Sequence, residues 1–345
     1  MALGSPAAGA GVAEGKLASP DWAAVPGLRA GHGVRPGPGG LPPAGGRGKR
    51  GRSRLPLPPP QLAPRDARWW VGLVVTVASL LALVFVVHAA VISGLRHERA
   101  QALAYQDLRL ALAKAEAPTG QLDLNGEMVA AGTPVALLQI PTLSLSEVVL
   151  EGTTAKALQD GPGHRRDSVL PGQPGTAVIM GRQATYGGPF RELRRLVPGD
   201  QITITTGQGA ATYRVFALRR SGDPLPERLR PGQGRLELIT GDGLALFPSG
   251  ALHVDAELVS EPFPGSSKVM AYAALPAAER AMGQDSSAWF LAFFAIVFTA
   301  AAGLGIWWLW RSWGQWQAWL IGLPIALALG VSCVDSIMNA LPNLI

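Results

Sequence analysis

The reactive residues of this sequence are few and scattered. One thiol is present, Cys333, inside a long apolar run, so neither an intrachain disulfide nor a multi-cysteine metal cluster can form. The five histidines, His32, His88, His97, His164 and His253, match no ligand spacing, and no cofactor is implied. Hydroxyls stand at Thr240 and Ser249, with Asp242 and His253 close in sequence. A hydroxyl needs a base in hydrogen-bond contact before it attacks, and such neighbourhoods arise often by chance in loops. A rebuilt Ser or Thr enzyme is therefore the minor alternative. His253 and Asp255 are two residues apart on an expected strand, share a face, and read as a solvent-facing pair.

Positioning these groups falls to the region 134–260. Its short Val-, Ile-, Thr- and Leu-rich runs are divided by Gly, Pro and Asp, which predicts strands. They are PVALLQI (134–140), SEVVLEG (146–152), GTAVIMG (175–181), DQITITT (200–206), ATYRVFALR (211–219), GRLELIT (234–240) and ALHVDAEL (251–258). Ile202 and Ile204 alternate with Thr203 and Thr205, as expected of a sheet with one buried face. Helical content is confined to FRELRRL (190–196). A small closed barrel is the natural way for so many short strands to avoid free edges.

Three apolar runs predict three transmembrane helices, at 69–95, 288–310 and 318–338. Each approaches the roughly 20 residues needed to cross a bilayer core. The first is too long, and too far from residue 1, for a cleaved leader. Trp289, Trp307, Trp308, Trp310, Trp313, Trp316 and Trp319 cluster at the ends of the last two runs, where indole is stable at headgroup level. The segment 1–68, rich in Gly and Pro, reads as a disordered cytoplasmic tail. A stalk helix and linker (96–133), the linker 261–287, a cytoplasmic turn (311–317) and an extracellular end (339–345) complete the organisation. Asp335 falls near the outer end of the third run, at headgroup level or, if deeper, in a buried polar contact. Small residues from Ala300 to Gly305 would allow close helix contact.

The net charge of +6 invites a nucleic-acid reading, but its placement argues otherwise. Arg47, Lys49, Arg50, Arg52, Arg54, Arg65 and Arg68 precede the first run, and Lys and Arg near a span end stay cytoplasmic. The N-terminus is then inside, 96–287 outside and Arg311 inside. The same cluster can meet anionic lipid headgroups.

The segments ALLQIPTLSLSEVVLEGTTAKALQDGPGH (136–164), LPGQPGTAVIMGRQATYGGPFRELRRLVPGDQITITT (170–206), RLELITGDG (235–243) and LHVDAELV (252–259) resemble the sortases. They are most similar to the class E sortases of high-GC Gram-positive bacteria, the Actinobacteria. The resemblance implies a mainly β fold, an eight-stranded barrel outside the membrane with its active site at one end. The family's chemistry is that of a cysteine thiolate attacking a peptide carbonyl, helped by a histidine and an arginine. By the resemblance, the histidine position holds Arg182, the cysteine position Gly241, and the arginine position Gly250 or Ala251. A guanidinium stays protonated and cannot be a general base, and glycine has no nucleophile.

The expected function is therefore that of a pseudoenzyme, a binding or scaffold subunit at the cell envelope. Its partner would be a membrane or cell-wall protein, a peptide or an anionic envelope component. An adapter for a genuine sortase is the other non-catalytic expectation. Candidate binding residues are Arg182, Gln183, Tyr186, Asp242 and His253, with the first three expected beside a Gly241–Asp242–Gly243 turn. Arg182 either receives a carboxylate or phosphate there, or pairs internally with Asp242. The apolar loop 244–250 would cover the groove or meet a partner.

Overall fold

The computed structural model describes residues 71, 72, 75, 79, 83–85, 87–245, 247–312 and 315–345. The predicted tail 1–68 and part of the first apolar run lie outside the described residues. The chain runs through a π-helical turn at His88–Ile92 into α1 (Ser93–Ala113). Eight strands then follow: β1 (Pro134–Ile140), β2 (Leu145–Glu151), β3 (Gly163–His164), β4 (Gly175–Met180), β5 (Gln201–Thr206), β6 (Gly209–Arg219), β7 (Gly234–Leu244) and β8 (Phe247–Leu258). A single helical turn, α2 (Ala157–Asp160), sits between β2 and β3. Two long helices, α3 (Ala288–Ser312) and α4 (Gln315–Ala340), close the chain.

The strands form a closed barrel in the order β1-β2-β3-β4-β7-β8-β6-β5, with β5 returning to β1. The pairs β2–β3 and β4–β7 are parallel and the rest antiparallel. Alternation fixes which side chains fill the bore. Leu138, Ile179, Ile202, Ile204, Leu236, Leu238 and Val254 point inward and make one core. The opposite face of β4, β7 and β8 presents Val178, Met180, Ile239 and Ala251, which form a second apolar cluster with Leu158 of α2 and with Leu344 from beyond α4. The region 190–196 is tied down by a 3-10 turn, Leu193–Arg195, in place of the helix expected there.

The predicted stalk lies against the barrel. Ala104 and Leu108 of α1 pack on Val148 and Leu150, while the Gln101 side chain both donates to the Val148 carbonyl and accepts from its N–H. These bonds satisfy backbone groups at the outer edge of β2 that would otherwise meet only solvent. The helix is thus a wall of the domain.

Three membrane helices were expected; among the described residues two, α3 and α4, are long and apolar enough to cross a membrane. The fold class is corrected to an eight-stranded closed barrel with two such helices. Their side chains are mostly exposed, as suits lipid-facing helices and unlike the buried core helix of a globule. They pack on each other where Gly322 meets Ile306, since a Cβ at 322 would lie 2.8 Å from that side chain. Gly303 and Gly305, the expected contact positions, face open space.

Candidate functional site

The strand β4 runs parallel to β7, with Met180 beside Ile239, and the Gly181 N–H donates to the Ile239 carbonyl at 3.0 Å. That register brings Arg182, just past β4, next to Gly241 of β7. On the other side β8 pairs Ala251 with Gly241 and Gly250 with Asp242. All of these positions therefore meet at one end of the β4–β7–β8 surface. Gly241, Asp242 and Gly243 do not make a turn there: β7 continues through Gly243 to Leu244 and turns into β8 only afterwards, which corrects the expected turn.

Arg182 is fully buried. Its Nη1 donates to the Ile345 carbonyl oxygen at 2.8 Å and to Thr185 Oγ1 at 3.1 Å, and its Nη2 donates to the Ala155 carbonyl at 2.6 Å. The guanidinium also stands 5.1 Å from the Tyr186 ring centroid, within cation–π range. Burial lowers its pKa to about 10, so it remains a cation at neutral pH. The expected pairing with Asp242 is not formed, because Asp242 accepts instead from Arg220 Nε at 3.0 Å. No Asp or Glu among the described residues pairs with Arg182, whose partners are the main-chain oxygens of Ile345 and Ala155 and the Thr185 hydroxyl. That arrangement suits the carbonyls of a peptide chain.

Gln183 completes the arrangement. Its N–H donates to the Leu344 carbonyl at 3.0 Å and its Nε2 to the Gly243 carbonyl at 3.1 Å. Thr185 Oγ1 donates to the Ile345 carbonyl at 2.6 Å. The loop holding these groups is shaped by Tyr186, Gly187 and Gly188, three successive left-handed residues, and a Cβ on Gly188 would lie 2.7 Å from the Gln183 carbonyl. Gly241 is needed for a different reason, close approach: a Cβ there would stand 3.0 Å from Gln183 Oε1 and 3.2 Å from the Leu344 carbonyl.

Two of the five candidate binding residues, Arg182 and Gln183, meet in this place, while Asp242 borders it facing Arg220. Tyr186 bridges this place and α4: its ring lies against the Arg182 guanidinium and packs on Val334 and Met338, while its hydroxyl donates to Asp335 at 2.9 Å. His253 lies elsewhere, bound through Nδ1 to Glu237 Oε1 at 2.8 Å. Its neighbour Asp255 is fully buried and pairs with Arg219, which also reaches Glu237 at 2.7 Å. The expected solvent-facing pair is thus a four-residue ionic network. Burial would raise the Glu237 pKa, but His253 and Arg219 outweigh it and hold the carboxyl below its ordinary value.

The hydroxyl alternative finds no base in hydrogen-bond contact among the described residues. Thr240 pairs with Leu252 on the bore side of the sheet, whereas His253 pairs with Ile239 on the opposite face, so no proton passes directly between them. The Thr240 hydroxyl is buried without a hydrogen-bond partner among the described residues. Ser249 Oγ donates only weakly, at 3.4 Å, to the Asp242 carbonyl.

The largest omission of sequence reasoning is the segment 341–345. Pro342 signals the end of α4, because it has no N–H to continue the helix. Nothing local in Leu-Pro-Asn-Leu-Ile indicates that Asn343, Leu344 and Ile345 are buried against the barrel.

Residues 138–243 match the family model described as Sortase domain. The chain is 33% identical over 84 residues to Sortase D of Bacillus subtilis, covering 24% of this chain and 41% of that protein. It is 31% identical over 94 residues to Sortase SrtE1 of Streptomyces coelicolor, covering 25% of this chain and 27% of that protein. Among solved structures, sortase E from Streptomyces avermitilis aligns at 31% identity over 44% of this chain and 99% of that chain, with a TM-score of 0.33. The matches thus span less than half the length of the two curated relatives.

Proposed function

We propose that this protein is a non-catalytic, sortase-like membrane protein acting as a binding or scaffold subunit at the cell envelope, a reading supported by the match of residues 138–243 to the Sortase domain. The observation that carries the reading is the residue set where the resemblance expects the family's histidine, cysteine and arginine. Arg182, Gly241 and Ala251 or Gly250 are neighbours at one end of the sheet. They supply no base, no thiol and no cation on β8. The single thiol, Cys333, belongs to α4. The kinship with class E is part of the same proposal, supported by the similarity to the Streptomyces coelicolor protein.

The two apolar helices associate the chain with a membrane. The barrel faces the extracellular side in this proposal, with Arg311 and the basic cluster of 47–68 on the cytoplasmic side; Lys and Arg placement supports that orientation. The partner is a membrane or cell-wall protein, or a peptide of it. Leu244 and Phe247, at the tip of the β7–β8 hairpin, are 73% and 78% exposed and offer an apolar contact. A photo-crosslinking residue placed at Leu244 or Phe247 in the native membrane tests this. One reproducible adduct is expected at both positions, and recovery of the monomer alone contradicts a scaffold.

A further inference from the structure

The segment after α4 leaves the helix at Pro342 and enters the site just described. Asn343 and Leu344 are fully buried and Ile345 nearly so, whereas most of α3 and α4 is exposed. Its main chain is gripped at successive residues: the Asn343 N–H donates to the Gly283 carbonyl at 3.0 Å, Leu344 accepts from the Gln183 N–H, and Ile345 accepts from Arg182 and Thr185. The Asn343 side-chain amide donates to the carbonyls of Thr153 at 2.8 Å and Arg280 at 2.9 Å. The Leu344 side chain fills the apolar cluster of Leu158, Met180 and Ile239. Residues 277–283 cover it, fastened by the Arg166–Glu279 ion pair and by the Thr153 hydroxyl on the Glu279 carbonyl at 2.6 Å.

We infer that this place is a peptide-binding site filled in cis by residues 341–345 of the same chain, an exchangeable occupant held in position by α4. The inference rests on the non-catalytic binding reading and names what the site recognises: an extended segment with an apolar side chain at the Leu344 position. Two observations separate a seated ligand from ordinary core. The contacts are donors aimed at main-chain carbonyls, which recognise a chain through its backbone. The site also keeps buried polar atoms that the occupant leaves without partners among the described residues, namely Arg182 Nε and Gln183 Oε1. A core evolved only for packing satisfies nearly all such atoms. Gly241 belongs to the same design, since a side chain there would press on the Leu344 carbonyl.

The test uses the whole chain in detergent micelles and a fluorescent Leu-Pro-Asn-Leu-Ile peptide, read by anisotropy. The chain stopped after Ala340 is expected to bind the peptide at least tenfold more tightly than the full chain. Adding G241V to the shortened chain is expected to abolish that gain, and L344A in the full chain to produce part of it. Equal binding by full and shortened chains overturns the inference, as does a shortened chain whose barrel no longer unfolds cooperatively, because the segment is then core. Peptide cleavage or transfer in the same samples would sink the non-catalytic reading while leaving cis occupancy standing.

Discussion

At the residue scale, Gly241 decides between two accounts of the site. If the missing thiol were the whole difference from an active sortase, G241C would restore turnover. The geometry predicts otherwise, because the new Cβ meets Gln183 Oε1 and the Leu344 carbonyl, and Arg182 cannot take a proton from the thiol. G241C is expected to lower stability by roughly 1–3 kcal/mol in thermal or chemical unfolding, with no product formed. A second residue-scale effect sits at His164. It is buried, with Nδ1 2.9 Å from Glu151 Oε2 and Nε2 2.9 Å from the Val169 carbonyl, an arrangement that suits the doubly protonated ring. Burial alone would lower its pKa, but the charge and hydrogen bond of Glu151 outweigh it and the net shift is upward. The stabilisation is therefore complete below the unfolded value of about 6.5 and is lost as pH rises through the higher folded value. The unfolding midpoint should fall on the alkaline side, and H164Q should flatten that decline.

At the element scale, α1 is the part whose role differs most from its sequence. Ala- and Leu-rich composition marks a helix but does not say which face is buried or against what. Leu108 is 1% exposed between α1 and β2, so L108A is expected to cost about 2–5 kcal/mol of barrel stability. A free-standing stalk would lose almost nothing, and denaturant unfolding followed by tryptophan-independent far-UV signal separates the two. The strands were the most legible elements, because alternation such as Ile202–Thr203–Ile204 reports directly on a two-sided sheet. The two-residue β3 is too short to carry such a period. The β7–β8 hairpin is longer than its sequence suggests, since Gly241, Gly243 and Gly250 have turn composition but lie in paired strands.

At the scale of the whole molecule, Asp335 ties the parts together. It accepts from His88 before α1, from Arg96 on α1 and from the Tyr186 hydroxyl beside the barrel loop. The helix α4 thus holds both this polar junction and the segment 341–345. D335N keeps the shape but removes the charge, and is expected to raise hydrogen–deuterium exchange at Gln183 and Leu344 relative to the barrel core. Unchanged exchange there would mean that the junction does not brace the site. Such long-range arrangements explain what sequence could not disclose. The neighbours Arg182, Gly241 and Ala251 follow from a strand pattern plus the resemblance, whereas Asp335 lies 149 residues from Tyr186 and Ile345 lies 163 residues from Arg182, separations that leave no local period.

The central claim is that a sortase-type barrel here binds without turning over. It is tested most directly by intact-mass spectrometry of the purified full chain incubated with a peptide library and an amine acceptor. The account predicts neither an acyl adduct on the protein nor a peptide–amine product, with wild type and T240A indistinguishable. An adduct or product that disappears in T240A or S249A would contradict it.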